Sequence, residues 1–178
     1  MTCIIGLEQD GVVYVGADSF IGDDETRSEQ ATNPKIFQKN GMLIACSGCL
    51  RAIQIVEHLL KLDNPKKFDE QYIIENIAEK IRLKFKDIDY VGTQENYQKL
   101  PTSFLIAYKD KMFTIEGNYA LTRAKDGILC LGAGSEFAYG AMKALKNLKP
   151  EKRIKKSLKI TSYYSNHVIA PFIILKTR

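Results

Sequence analysis

The chain has 178 residues, 45% of them hydrophobic and 26% charged, proportions of a single soluble domain over residues 1–178 that can fold without disulfides or a structural metal. No apolar run approaches the roughly 20 residues that cross a bilayer. The opening MTCIIGLEQDG has neither a basic leader nor a long apolar core, so the expectation is a cytoplasmic protein with reduced cysteines and no membrane partner. The net charge of +5 sits mainly in Lys143–Lys159, interleaved with apolar residues at helical spacing; this reads as the solvated face of a helix, and no nucleic-acid motif accompanies it.

In chain order, residues 3–8 and 12–18 flank an EQDG turn and predict a hairpin. The polar stretch Gly22–Asn33 predicts a loop, and Lys35–Gln38 with Met42–Cys46 predict a second hairpin around KNG. Leu50, Ile53, Leu59 and Leu60 then recur at helical steps until DNP at 63–65. A second helix carries Ile73, Ile77, Ile81 and Phe85 on one stripe and ends near Asp87. Strands return at Thr102–Tyr108, Met112–Glu116 and Ile128–Leu131. GAGSE opens a third helix bearing Phe137, Ala141, Ala144, Leu145 and Leu148; Pro150 starts a fourth with Ile154 and Leu158 inward; Ala170–Leu175 closes the chain as a strand. Antiparallel hairpins separated by helix pairs exclude a parallel βαβ sheet. The prediction is an α+β domain of four layers, two antiparallel sheets face to face between helix layers.

The usual catalytic materials are sparse. His58 and His167 lie near no Ser or Cys nucleophile motif and read as structural, and no ligand cluster suits zinc, so neither a metal nor a cofactor is expected. Cys46-Ser-Gly-Cys49 has the spacing of a redox pair but sits outside any βαβ unit, which favours buried structural cysteines. Gly132-Ala-Gly134 opens a helix after a strand, yet Phe137 stands where a dinucleotide fingerprint needs its third glycine. Thr2 remains. With Met1 removed it would carry a hydroxyl and a free α-amine, and the amine can serve as general base for its own hydroxyl.

Read together, TCIIGLEQDGVVYVGADS, NPKIF, GMLIACSG, CLGAGSEFAYGAMKAL and YYSNH resemble proteasome β-type subunits, the bacterial HslV-like peptidases in particular, in order and spacing over nearly the whole chain. The resemblance implies the Ntn-hydrolase sandwich and assigns roles residue by residue. Thr2 matches the nucleophile, Asp18 the buried aspartate, Lys35 the lysine it pairs with, and Gly48 the oxyanion-hole N–H. Ser135 matches one of the two helix-opening serines, and Ala133 replaces the other. Ser162 stands where proteasomes carry the aspartate that supports the amine, a position at which HslV also lacks one, and Ser165 matches the later serine or threonine. Ile21, Cys46 and Leu50 fall near the positions that line the P1 pocket, which suggests an apolar P1 side chain. The implied function is a threonine peptidase in a self-compartmentalising ring, with an ATP-dependent unfoldase as partner and unfolded polypeptides as substrate. A catalytically silent ring subunit and an Ntn amidase acting on a small amide are the alternatives.

Overall fold

A computed structural model describes residues 2–22, 27–28, 35–90, 92–94, 97–100 and 102–178, with the backbone alone at 27–28, 92–94 and 97–99. The strands are β1 (Ile4–Gln9), β2 (Val12–Ala17), β3 (Ile21–Gly22), β4 (Arg27–Ser28), β5 (Ile36–Lys39), β6 (Met42–Gly48), β7 (Gly92–Gln94), β8 (Tyr97–Lys99), β9 (Thr102–Tyr108), β10 (Lys111–Ile115), β11 (Leu121–Thr122), β12 (Ile128–Leu131) and β13 (Ile173–Lys176). Helix α1 (Leu50–Gln54) continues as a π-helical turn, Ile55–Leu59; α2 (Glu70–Ile73) runs through a similar turn, Ile74–Ala78, into α3 (Glu79–Asp87); α4 (Ser135–Ala144) and α5 (Pro150–Tyr164) follow.

Two antiparallel sheets carry the fold, in strand orders β12-β1-β2-β13 and β11-β10-β9-β6-β5. The period-2 alternation of each strand divides its apolar residues between two cores. On β1, Ile4 joins Val15, Leu43, Ala45 and Leu105 between the sheets, while Ile5 and Leu7 face α4 and α5 with Ala138, Met142, Ile154 and Leu158. On the other sheet, Ile44, Phe104 and Phe113 turn outward onto Ile53, Ile73, Ile77, Ile81 and Phe85. Three apolar cores therefore separate four layers, as the order of elements predicts. Arg153, itself buried, donates Nε and Nη2 to the Met142 carbonyl at 2.9 and 2.6 Å and ties α5 to the last turn of α4.

Several local expectations need correction. Leu59 is exposed, because the chain widens to an i→i+5 bond, Leu60 N–H to Ile55 O at 3.0 Å, and the turn seats Ile55 and Val56 instead. Phe137 and Ala144 lie off the inward face of α4, which is made by Ala138, Ala141 and Met142; Phe137 stacks on Tyr164 at 5.5 Å. Leu145 and Leu148 fall after α4 ends, half-buried in its connection to α5. Within the predicted 22–33 loop, Arg27–Ser28 pairs with Ile21–Gly22, and the rest of that stretch lies outside the described residues. The last strand begins at Ile173, past Pro171, which has no N–H for the ladder. The β7–β8 hairpin was not signalled by any apolar alternation.

The layer assignment makes an energetic contrast on one helix. Phe85→Ala empties the helix-facing core and should cost about 3–5 kcal/mol, whereas Leu83→Ala on the exposed face should stay within about 0.5 kcal/mol. Urea unfolding of both variants measures this; comparable losses would contradict the assignment.

Candidate active site around Thr2

Where β2 ends, the Asp18 carboxylate turns inward and becomes almost wholly buried. Its Oδ1 accepts the Cys3 N–H at 2.8 Å and the Lys35 Nζ at 2.9 Å, and its Oδ2 accepts the Phe20 N–H at 2.8 Å. The Asp18 N–H returns a bond to Cys3 O at 3.3 Å. The Lys35 ammonium thus stands within two hydrogen-bond lengths of the peptide that follows Thr2. Lys35 is 5% exposed, just ahead of β5, and its carbonyl accepts the Cys46 N–H at 3.1 Å, which fixes it against β6. Burial pulls the Lys35 ammonium below the ordinary lysine range, and Asp18 opposes that pull.

Thr2 is 1% exposed. Its carbonyl is met by Gly132, at φ +92°, where a Cβ would lie 2.0 Å from Thr2 O and 2.7 Å from Ser47 Oγ. Only glycine fits this approach, so the start of β1, the end of β6 and the loop after β12 converge there. A Cβ on Gly134 would stand 2.5 Å from Thr161 Cγ2 and 3.1 Å from Cys3 Cβ, which brings α5 to the same point.

Thr2, Asp18 and Lys35 are therefore brought together, with Gly48 exposed on the end of β6 next to Ser47. Ser135 is half-buried at the start of α4, its N–H donating to Gly132 O at 3.0 Å. Ser162 is committed to its own helix, its hydroxyl donating to Lys159 O at 2.8 Å. Ser165 caps α5, its Oγ accepting the His167 N–H at 3.4 Å. Ile21 and Leu50 are half-buried. Cys46 is 1% exposed on the helix-facing side of β6, in the core that Leu50 packs against, with its thiol on Thr102 Oγ1. The cysteines of the pair are not both buried, since Cys49 is exposed. Burial raises the Cys3 and Cys46 thiols to about 12, so neither supplies a ready thiolate.

His167 packs its ring against Phe20 at 5.4 Å, and His58 is exposed beside Glu57. Among the described residues no group of three or more His, Cys, Asp or Glu could hold a metal ion, and no helix is long and apolar enough to cross a membrane. Gly132, noted in the sequence only as part of an incomplete dinucleotide fingerprint, closes on Thr2, while Ser47 and Thr161 join that neighbourhood without a sequence signal, being ordinary small polar residues.

The Asp18–Lys35 pair should behave as a buried unit. Removing one partner strands the other's charge, so Lys35→Ala and Asp18→Ala should each cost about 3–5 kcal/mol. The double variant should cost less than the sum of the two. Urea unfolding of the four proteins tests the cycle; strict additivity would mean that the two charges do not meet in solution.

No family model matches the chain. Over 85 residues it is 34% identical to the ATP-dependent protease subunit HslV of Enterococcus faecalis, covering 43% of this chain and 47% of that protein, about half the length of the curated relative. Among solved structures, BPH of Thiobacillus denitrificans in complex with epoxomicin has a TM-score of 0.83 at 18% identity, covering 99% of this chain and 98% of its own. HslV from Trypanosoma brucei has a TM-score of 0.68 at 16% identity, covering 98% of each chain. Anbu, an ancestral β-subunit from Yersinia bercovieri, has a TM-score of 0.73 at 11% identity, covering 98% of this chain and 81% of its own. The structural likenesses show the fold across the whole chain, and the HslV match adds sequence kinship over part of it. The chain therefore carries the sandwich of two antiparallel sheets between helix layers seen in these structures, and over 85 residues it is similar in sequence to HslV.

Proposed function

We propose that this chain is the N-terminal threonine peptidase subunit of a self-compartmentalising ring that cleaves unfolded polypeptides in the cytoplasm. The observation that carries the reading is the convergence of Lys35 Nζ and the Cys3 N–H on one oxygen of Asp18, beside Thr2. A cation held there lowers the pKa of an α-amine on Thr2 and keeps it neutral as a base. The amine takes the hydroxyl proton as Thr2 Oγ attacks the peptide carbonyl. The oxyanion that forms is received by the Gly48 N–H. Collapse of the tetrahedral intermediate passes the proton to the leaving amine and leaves an ester on Thr2. Water, activated by the same α-amine, then hydrolyses that ester. Ile21 and Leu50 are candidate walls of an apolar P1 pocket.

The ring and an ATP-dependent unfoldase partner are supported by kinship with HslV, an ATP-dependent protease subunit. A catalytically silent ring subunit is the second reading, favoured by Ala133 at a position where the family pattern has serine. Residue 1 lies outside the described residues; chemically, a retained Met1 would acylate the amine that the mechanism needs.

Intact mass paired with a fluorogenic peptide assay separates the two readings. The active subunit should begin at Thr2, and turnover should vanish in Thr2→Ala. A form that keeps Met1 should lose about 10²–10⁴-fold with its general base. Full turnover by Thr2→Ala would overturn the mechanism. Native mass spectrometry should find closed rings of several copies, and a monomer at micromolar concentration would count against the compartment.

The pH profile carries its own sign. The α-amine must be neutral, so kcat/KM should rise with pH through an amine pKa below the reference range of about 7.7–8.0. It should fall again as Lys35 loses its proton, which occurs below the ordinary lysine value of 10.5 because burial penalises the ammonium. A profile set by a single acid limb, flat to pH 11, would remove Lys35 from the role of cation.

A further inference from the structure

Thr102 is the first residue of β9, buried, and paired in register with Gly48 at the end of β6. Its Oγ1 lies 2.6 Å from the Ser47 carbonyl oxygen and 2.8 Å from Cys46 Sγ. A carbonyl can only accept, so the single hydroxyl hydrogen of Thr102 goes to Ser47 O. The Cys46 S–H then donates to Thr102 Oγ1, a role open to it because burial holds the thiol protonated. The relay runs Cys46 S–H to Thr102 O–H to Ser47 O.

The carbonyl at the end of that relay belongs to the peptide whose nitrogen is Gly48. Across a planar trans peptide, C=O and N–H point in opposite directions. The Cys46 N–H donates toward β5, to Lys35 O, and strand alternation turns the Ser47 carbonyl the other way, toward its register partner Ser103 on β9, where it also takes the Thr102 hydroxyl. The Gly48 N–H accordingly faces the β5 side, beyond the last register pair of that ladder, Ile36 with Ala45. This is the side on which Lys35 and Asp18 stand. Gly48 has φ +130°, a conformation open to glycine, so the strand ends in a hinge, and the Thr102 hydroxyl is a second tie on the Ser47 carbonyl beside its register partner Ser103.

We infer that Thr102 is a positioning residue for the oxyanion donor: its hydroxyl clamps the Ser47–Gly48 peptide so that the Gly48 N–H is presented to the Thr2 side of the site. The inference rests on the peptidase reading for its catalytic consequence and on geometry alone for its structural one. A preset donor matters because it stabilises charge that develops in the transition state, so its loss falls on kcat and leaves KM.

The test uses Thr102→Val, which keeps shape and removes the hydroxyl, and Thr102→Ser, which keeps the hydroxyl. In protein that begins at Thr2, T102V should lower kcat about 10- to 100-fold with little change in KM, and T102S should restore most of it. Crystal structures of the three proteins should show the Ser47–Gly48 plane rotated in T102V and retained in T102S. Wild-type kcat in T102V, or an unmoved plane, overturns the inference. Should the wild type hydrolyse no peptide, the peptidase reading fails by that result, and the plane comparison still decides the role of Thr102. If T102V does not fold, Cys46→Ala serves in its place: it removes the donor that orients the Thr102 hydroxyl and should lower kcat several-fold at constant KM, while an unchanged kcat overturns the inference.

Discussion

The buried carboxylate of Asp18 is the interaction on which the site depends. It accepts two backbone N–H groups, from Cys3 and Phe20, and the Lys35 ammonium. These partners come from different parts of the sandwich. Cys3 and Phe20 flank strands β1 and β2 of one sheet, and Lys35 stands ahead of β5 in the other. The cluster is thus a polar clasp at one end of the apolar core between the sheets, next to Ile4, Ala17, Ile36 and Ala45. A buried ion pair seldom adds net stability over an apolar replacement, because desolvation offsets the attraction. What it supplies here is a fixed cation beside the chain's second residue, which apolar packing cannot provide.

The second constraint is steric and acts from the other side. Asp18 fixes the nitrogen of Cys3, and Gly132 closes against the carbonyl of Thr2, so the Thr2–Cys3 peptide is held on both faces. Gly134 and Thr161 extend that contact to Cys3 and bring in α5. For the mechanism proposed above such immobility is an advantage, since the entropy of positioning the nucleophile against a carbonyl is spent in folding. Elements from both halves of the sequence meet at this one peptide, which explains why the residues of the site are scattered over the chain.

Much of this was legible in the sequence, and the reason differs by element. Hairpins around EQDG and KNG, and the Ile73–Phe85 stripe, follow from period and turn chemistry, which are local. Failures came where packing overrode period. Phe137 fits the apolar rhythm of α4 but lies off the face that meets the sheet, and Leu59 is rotated out by a π-helical turn that no residue announces. At the site, Asp18 and Lys35 were visible through resemblance, and their meeting is a tertiary fact. The side of Cys46 was legible too: the alternation of Leu43, Ala45 and Ser47 against Ile44 and Cys46 sets it toward the helices, where Leu50 packs. Ser162 was placed by position, yet one step of helical rotation, about 100°, makes its neighbour Thr161 the residue that reaches Cys3. Thr102 had no signal at all, because a threonine opening a strand is what β propensity alone would choose.

Ala133 separates scaffold from chemistry in this site. The residues that press on Thr2 and Thr161 are its neighbours Gly132 and Gly134, and the contacts they make need the absence of a side chain. The side chain at 133 is exposed and takes no part in that closure. An alanine there, where the resemblance implies a serine, leaves the contacts of Gly132 and Gly134 unchanged. The Asp18–Lys35 clasp stands at the opposite side of Thr2 and does not pass through this loop. The Asp18–Lys35 ion pair and the closure on the Thr2–Cys3 peptide thus stand independently of residue 133. In the mechanism proposed above, a substitution that spares both is therefore expected to act on the rate of the chemical step and to leave the fold unaffected.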